Sequence, residues 1–528
     1  MAASKRFGFH IHSRSLEGTV SLDPISQAIG QCDQCPRRGS APTKSSRHLD
    51  IMPASIMLFC IMFLNRIREL ATLTALTKTG GLAVVWGRRR IGKTALLLEW
   101  CRRSNGLYAV ADQSDAATQR RYLARSFSER LPGFADVDYP DWERLFARLA
   151  VDAGVAKFRG PIILDELPYL VAAAPELPSA LQRWIDHDAK RAGLTVAVAG
   201  SSQRMMQGLV LAADAPLYGR ARVLLDLGPL APRYLPRMVG SGPGPVHTIE
   251  HWTAWGGVPR YWELAASGPG PVRDRVVALV LDPQGPLFSE PERLLLEETP
   301  TALEVCPLLD AIGAGAHRLS EIAGRLRRPA TSLARPIDRL LGMGMVRREV
   351  PYGEPPRGGK RSLYRLADPF LRLWFSVVAP NRGTLTAGTR LTRQHLLDVH
   401  WDALVSTAWE ELCRDAIPRV TRGPLATLGP WQPAVRFWRG NAPEWDLVAE
   451  AVRGPRRLVG EVWFTRKAPG LANIRHAIAE LSRRPLPPSV DPNQTTRALF
   501  VPHLARGTPR AIDGVLLVTA DQIFATAD

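Results

Sequence analysis

The sequence predicts a multidomain α/β protein, and three observations carry that reading. The chain has 528 residues, 45% hydrophobic and 22% charged. At roughly 150 residues per domain this means about three or four cores, and it excludes global disorder. Short apolar runs alternate with helical stretches in two separate regions, the pattern of largely parallel sheets covered by helices. Between the first such run and the helix after it lies Gly87-Arg88-Arg89-Arg90-Ile91-Gly92-Lys93-Thr94, a glycine-rich loop in strand–loop–helix context.

Residues 1–61 are polar, Ser/Arg-rich and aperiodic. They are expected to be a disordered leader, or upstream sequence read from a misassigned start, since Met57 and Met62 stand just before the first patterned segment. The total charge, +18, rests on 60 Arg and only 8 Lys. That skew fits GC-rich coding, so its distribution matters more than its sum. Six scattered cysteines exclude a disulfide framework and point to a reducing compartment. The lone C-x-x-C of Cys32 and Cys35 is expected to be structural rather than a zinc or redox site. Lys5 and Arg6 are not followed by an apolar core, and the longest apolar run, Ile56–Leu64, is nine residues. About 20 are needed to span a bilayer, so the expected setting is cytoplasmic, with no membrane partner.

From Phe63 the pattern changes. Ile67, Leu70, Leu73 and Leu76 keep helical spacing up to Gly80-Gly81, and Leu82–Trp86 reads as a buried strand. Further strands are expected at 107–111, 161–164, 194–199 and 223–227, with helices over 118–131, 139–153 and 178–192. The loop after the first strand is a complete Walker A. Its glycines let the backbone curl so that N–H groups face phosphate, beside the positive end of a helix. The nucleotide-binding set is therefore Gly87 through Thr94 with Ala95. Lys93 is placed for the β- and γ-phosphates and Thr94 for Mg²⁺. Arg88, Arg89 and Arg90 either add charge near phosphate or, the blander expectation, are solvated.

Pro161–Glu166 supplies a Walker B, an apolar strand ending in two acids. Asp165 would hold Mg²⁺ and Glu166 would polarise the attacking water. After the next strand, Ser201 is either a γ-phosphate sensor or part of a plain turn. Arg220, in Pro216-Leu217-Tyr218-Gly219-Arg220, is either an arginine finger, in cis or across a self-association contact, or a surface arginine.

Taken in order, Phe63–Glu69 (F-L-N-R-x-x-E), Gly87–Thr94, Leu164-Asp165-Glu166, Gly200–Ser202, Pro216–Arg220 and Gly256–Tyr261 (G-G-V-P-R-Y) occur at family-like spacing. This set resembles the archaeal-type ATPases of the AAA+/STAND lineage, over about 62–270. The resemblance implies an AAA-like P-loop ATPase core, Mg²⁺-ATP as ligand, and a helical lid containing Trp255–Tyr261. It also implies that Arg66 sits near the adenine edge.

The remaining domains follow from local pattern. The core is assigned 62–235 and the lid 236–302. Residues 303–382 read as a winged helix-turn-helix and linker. Within it, 317–365 hold 12 Lys+Arg against 4 Asp+Glu, so duplex DNA is a candidate partner, against a purely packing role. Ser332 is expected to cap the second helix, Arg335 and Arg339 to share its exposed face, and Arg357, Lys360 and Arg361 to lie in the wing. Pro336 fits only if it falls in the first turn.

Residues 383–395 read as a connection, and 383–528 as a second α/β domain. Glu410, Asp446 and Glu461 lie where this stretch resembles the PD-(D/E)XK, restriction-endonuclease-like fold. That resemblance implies a possible second Mg²⁺ site at these three acids. It is degenerate, because Trp463 stands where Lys is expected and Lys467 is the nearest lysine. Three functions stay open: an ATPase coupled to DNA, a nucleotide-gated switch with negligible turnover, and an ATP-regulated nuclease.

Overall fold

The computed structural model describes residues 66–201, 203–213, 215–240, 244–298, 302–355 and 361–525. The 1–61 leader, with Cys32 and Cys35, lies outside the described residues, as do Ser202, Arg357 and Lys360.

The first domain is a five-stranded parallel sheet of β1 (Gly81–Trp86), β2 (Leu107–Val110), β3 (Pro161–Asp165), β4 (Thr195–Gly200) and β5 (Ala221–Asp226). Their order is β2-β3-β4-β1-β5. Strands β3 and β4 are buried along their whole length. That is why they read as unbroken apolar runs: both faces of a parallel sheet are covered by helices. Helix α1 (Ile67–Thr79) turns Leu70, Leu73 and Leu76 inward, and α2 (Lys93–Arg103) does the same with Leu96, Leu97 and Trp100. The Trp100 indole donates to Thr77 at 3.0 Å and locks the two helices together. Because β1 lies between β4 and β5, with β3 beyond β4, the segments leaving β1, β3 and β4 emerge side by side.

Among its described residues the segment expected to form the lid has helices and no strand, and includes α3 (Gly244–Trp255) and α4 (Pro259–Ala266). Then come α5 (Ala302–Gly313), α6 (Leu319–Leu326), α7 (Ala334–Gly342) and an antiparallel hairpin of β6 (Val346–Glu349) and β7 (Leu363–Leu366). Pro336 is the third residue of α7, inside the first turn, where its missing N–H costs nothing. Ser332 does not cap this helix. Its hydroxyl donates to the Pro329 carbonyl at 2.7 Å, because a short 3-10 turn over Ala330–Leu333 precedes α7 and moves the helix start downstream.

Asp368 caps the short helix α8 (Pro369–Leu373). The connection expected over 383–395 is helical instead. Residues Arg382–Ala387 form one helix, and α9 (Arg390–Ala416) starts two residues after Gly388 with Thr389 as its cap. The polar appearance of this stretch reflects a helix with an exposed face, not a loop.

A six-stranded mixed sheet completes the chain. It contains β8 (Val435–Arg439), β9 (Ala442–Glu450), β10 (Arg457–Val462), β11 (Thr495–Val501), β12 (Ala511–Ile512) and β13 (Val515–Thr519), in the order β12-β13-β11-β10-β9-β8. Strands β8–β10 run antiparallel, and helix α10 (Leu471–Arg483) crosses to the parallel β11. The hairpin is laid against this sheet. Tyr352 donates its N–H to the Arg436 carbonyl at 2.8 Å and its hydroxyl to Glu450 at 2.7 Å. The Trp438 indole donates to the Arg361 carbonyl at 3.1 Å. No helix among the described residues is long and apolar enough to cross a membrane.

One lid contact is sensitive to pH. His251 stacks on Trp262 and meets His247 nitrogen to nitrogen at 2.9 Å. Burial pushes His251 down to about 3. The unfolded chain therefore takes up this proton below about pH 6.5 while the folded chain does not, and stability falls as pH drops through that window. Replacing His251 with Phe keeps the stacking and removes the proton. The midpoint of thermal unfolding is expected to fall less between about pH 7.5 and pH 5.5 in His251→Phe than in the wild type; equal slopes would assign the pH dependence elsewhere.

Candidate active site

The site begins with a backbone requirement. Gly87 leaves β1 at φ 144, and a Cβ there would lie 2.4 Å from the Leu227 carbonyl oxygen. Only glycine tolerates both the conformation and the contact. Gly92 is also left-handed, at φ 92, and starts α2. Between them the chain curls round the Lys93 side chain, whose ammonium donates to the carbonyls of Gly87 (2.8 Å) and Arg88 (3.2 Å). Arg66 lies against the same loop. Its buried guanidinium donates to the Ile91 carbonyl at 3.2 Å and the Gly228 carbonyl at 2.6 Å, and it pairs with Glu69 at 3.1 Å. It clamps the loop to the chain leaving β5, a use the family resemblance does not suggest.

Walker A and Walker B meet. The Thr94 hydroxyl donates to Asp165 Oδ2 at 2.9 Å, and the Tyr108 phenol donates to the same oxygen at 2.8 Å. Burial raises the Asp165 carboxyl, and these two hydrogen bonds oppose it. Burial beside Asp165 likewise pushes the Tyr108 phenol up. Tyr108 was missed in the sequence, and only the pairing of β2 with β3 brings it here.

Glu166 follows in the left-handed region, at φ 55, a strain of about 1–3 kcal/mol for a residue with a side chain. Its carboxylate accepts from the Ser201 hydroxyl at 2.5 Å and the Ser201 N–H at 3.3 Å. Ser201, at the end of β4, is thus in direct contact with the second Walker B acid.

A cavity of about 670 Å³ opens over this arrangement. Gly92, Lys93, Thr94, Ala95, Glu166 and Ser201 form one wall, and the lid adds Arg260 and Arg293. Arg89 and Arg90 line it too, so cations outnumber acids around it. The size, the curled backbone and the cations suit a nucleoside polyphosphate. The hard oxygens of Thr94 and Asp165 suit Mg²⁺.

Residues 63–264 match the model of a family described as an ATPase domain predominantly from Archaea. Over these residues the chain is similar to that archaeal-type ATPase domain. An uncharacterized protein of Methanocaldococcus jannaschii is 27% identical over 335 residues, covering 62% of this chain and 71% of its own. A Walker-type ATPase of Pyrococcus abyssi aligns with 59% of this chain and 95% of its own, at 18% identity and a TM-score of 0.46. The ORC2 protein of Aeropyrum pernix aligns with 60% of this chain and 93% of its own, at 17% identity and a TM-score of 0.37.

Several residues expected in or near the ATPase site lie elsewhere or are used differently. The loop arginines are not simply solvated. Arg89 donates to the Tyr169 hydroxyl at 2.9 Å, Arg90 pairs with Glu290, and Arg88 is buried near Asp368. Arg220 is not brought to the cavity. Its guanidinium is held by Asp186 at 2.9 Å and by the carbonyls of Pro216 and Tyr218. Arg260, inside the G-G-V-P-R-Y motif, and Arg293 are the arginines that line the cavity from the lid. Their signal was the motif for the first and nothing in the sequence for the second.

Glu410, Asp446 and Glu461 are neighbours, and burial together with the Asp446 charge raises the carboxyls of Glu410 and Glu461. Among the described residues no group of three His, Cys, Asp or Glu side chains is arranged to hold a metal ion. Guanidiniums lie against two of these acids: Arg414 is 3.6 Å from Glu410, and Arg484 pairs with Glu461. Asp446 accepts from the Val462 N–H at 3.0 Å. Trp463 is half-buried against the apolar core of this sheet, and Lys467 is exposed.

The geometry separates two substitutions in the ATPase domain. Lys93→Ala is expected to abolish ATP binding in a fluorescence titration. Glu166→Gln is expected to bind ATP normally and lose turnover by at least about 100-fold, the usual contribution of a general base. Normal hydrolysis by Glu166→Gln would remove the role assigned to that acid.

Proposed function

We propose that this protein is a Mg²⁺-dependent ATPase whose nucleotide state is relayed through a winged helix to a nuclease-like C-terminal domain, acting on or near duplex DNA. The observation that carries the first part is the 2.9 Å bond from Thr94 to Asp165, which closes Walker A onto Walker B beneath a cationic cavity. In this reading the Lys93 ammonium leaves its carbonyl partners for the β- and γ-phosphates, and the loop N–H groups take the remaining phosphate oxygens. Thr94 and Asp165 hold Mg²⁺, which would neutralise charge on the phosphates. Glu166 orients the attacking water and accepts its proton, and Ser201 decides where that carboxylate points.

The DNA part is supported by the helices, not by the hairpin. Three helices followed by a hairpin is the winged-helix order. Arg327, Arg328 and Arg335 are exposed around the turn and the start of α7, with Arg339 one turn further on. The hairpin is covered by the C-terminal sheet, and Arg361 pairs with Glu354, so the described part of the wing is not available to track a backbone. The C-terminal domain has the order helix, three antiparallel strands, helix, parallel strand. That order supports a nuclease-like fold, and the arginines on its acids argue for a binding role in place of cleavage.

A second reading, a nucleotide-gated switch with negligible turnover, is favoured by the hold of Ser201 on Glu166, which engages both oxygens of that carboxylate in this arrangement.

Steady-state ATPase measured with duplex DNA titrated in, at two salt concentrations, tests both. The first reading expects turnover that DNA changes. Replacing Arg327, Arg328 and Arg335 with Ala is expected to weaken DNA binding and lower its salt slope by about 1 per residue removed. ATP binding without turnover, at any DNA concentration, selects the switch. Plasmid incubated with the protein and Mg²⁺ or Mn²⁺ is expected to stay supercoiled. Nicking that disappears in Asp446→Ala would restore the nuclease.

A further inference from the structure

Two arginines of the phosphate loop are tied to acids far along the chain. Arg90, left-handed at φ 66, pairs with Glu290, about 200 residues downstream. Glu290 is fully buried and also accepts from the Tyr261 hydroxyl at 3.1 Å. Arg88 is buried, with Nη2 3.9 Å from Asp368 Oδ2, and its Nε and Nη2 make no hydrogen bond. Asp368 is itself buried and caps α8 by accepting from the Phe370 N–H at 2.8 Å.

The lid is built round this contact. A Cβ on Gly256 would lie 2.5 Å from Asp368 Oδ1, so the first glycine of G-G-V-P-R-Y is what lets the carboxylate through. Tyr261, from the same motif, packs its ring 4.3 Å from that of Phe370 on α8. The phosphate loop, the lid and the helix after the hairpin therefore share one buried group of charges. Buried charges hold their partners tightly, since either one left alone is costly. The 3.9 Å spacing of Arg88 and Asp368 is an ion pair with room to tighten when the loop settles on phosphate.

We propose that Asp368 and Glu290 are positioning residues for the phosphate loop, linking nucleotide binding at Lys93 to the seating of α8. They touch no substrate atom; they act through Arg88 and Arg90. This rests on the ATPase reading and adds the route by which nucleotide is felt beyond the hairpin.

The test uses the full chain with Mg²⁺-ATP. Asp368→Asn keeps the helix cap and removes the charge. It is expected to raise KM for ATP about tenfold with kcat changed by less than about twofold. In the wild type, ATP is expected to slow amide exchange over residues 363–378, and in Asp368→Asn that protection is lost. Combining Arg88→Gln with Asp368→Asn is expected to be no worse than Arg88→Gln alone. Glu290→Gln, which keeps an acceptor for Tyr261, is expected to raise KM in the same way, and it serves if Asp368→Asn shows no cooperative unfolding transition. Wild-type KM in the variant that folds, additive effects of Arg88 and Asp368, or exchange in the wild type that ignores ATP would each overturn the linkage. Wild-type protein that binds no ATP would instead overturn the ATPase reading beneath it.

Discussion

The site depends on one constraint: a loop of backbone N–H groups must curl back at the end of a buried strand, where no Cβ fits. Gly87 meets that constraint at φ 144, against the Leu227 carbonyl. Any larger residue would drive the loop off Leu227 and displace Lys93 at the start of α2. Arg66 guards the other flank by occupying the carbonyls of Ile91 and Gly228. The loop is thus shaped from below by its neighbours before any ligand arrives, which is the preorganisation that phosphate recognition needs.

The same constraint explains how the arginines are used. Three guanidiniums in one short loop would repel each other if left to themselves. The chain disperses them to a tyrosine, a buried glutamate and a buried aspartate, each on a different element. A similar arrangement recurs where the hairpin meets α9. There burial would raise Glu411, but Arg372 and Arg347 outweigh it and hold the carboxyl at about 2. Arginine-rich composition becomes contact between distant segments: Glu290, Asp368 and Glu411 each face arginines from elsewhere in the chain. Such pairs are weak sources of net stability, because desolvation cancels much of the attraction. What they supply is a definite register between parts.

The C-terminal sheet uses guanidiniums in the same way. Arg414 and Arg484 lie against Glu410 and Glu461. Trp463, half-buried, packs against the apolar core beside them. The sheet is also the surface on which the hairpin rests.

The sequence by itself determined the local chemistry. Gly87–Thr94 and Leu164–Glu166 identify a phosphate site and its acids, because the loop and the strand end each need particular residue types at fixed spacing. The order of strands and helices was legible for the same reason, since buried parallel strands read as apolar runs. What only the tertiary structure decided was which distant side chains arrive. Tyr108 reaches Asp165 because β2 pairs with β3, Ser201 reaches Glu166 because β4 lies beside β3, and Arg220 is taken by Asp186 instead of the cavity. Ser332 lost its capping role to a turn that spacing alone does not reveal. Arg88 and Asp368 lie in separate motifs with nothing in either to announce the other. A charge states that it needs a partner; strand order and helix packing choose which one it finds.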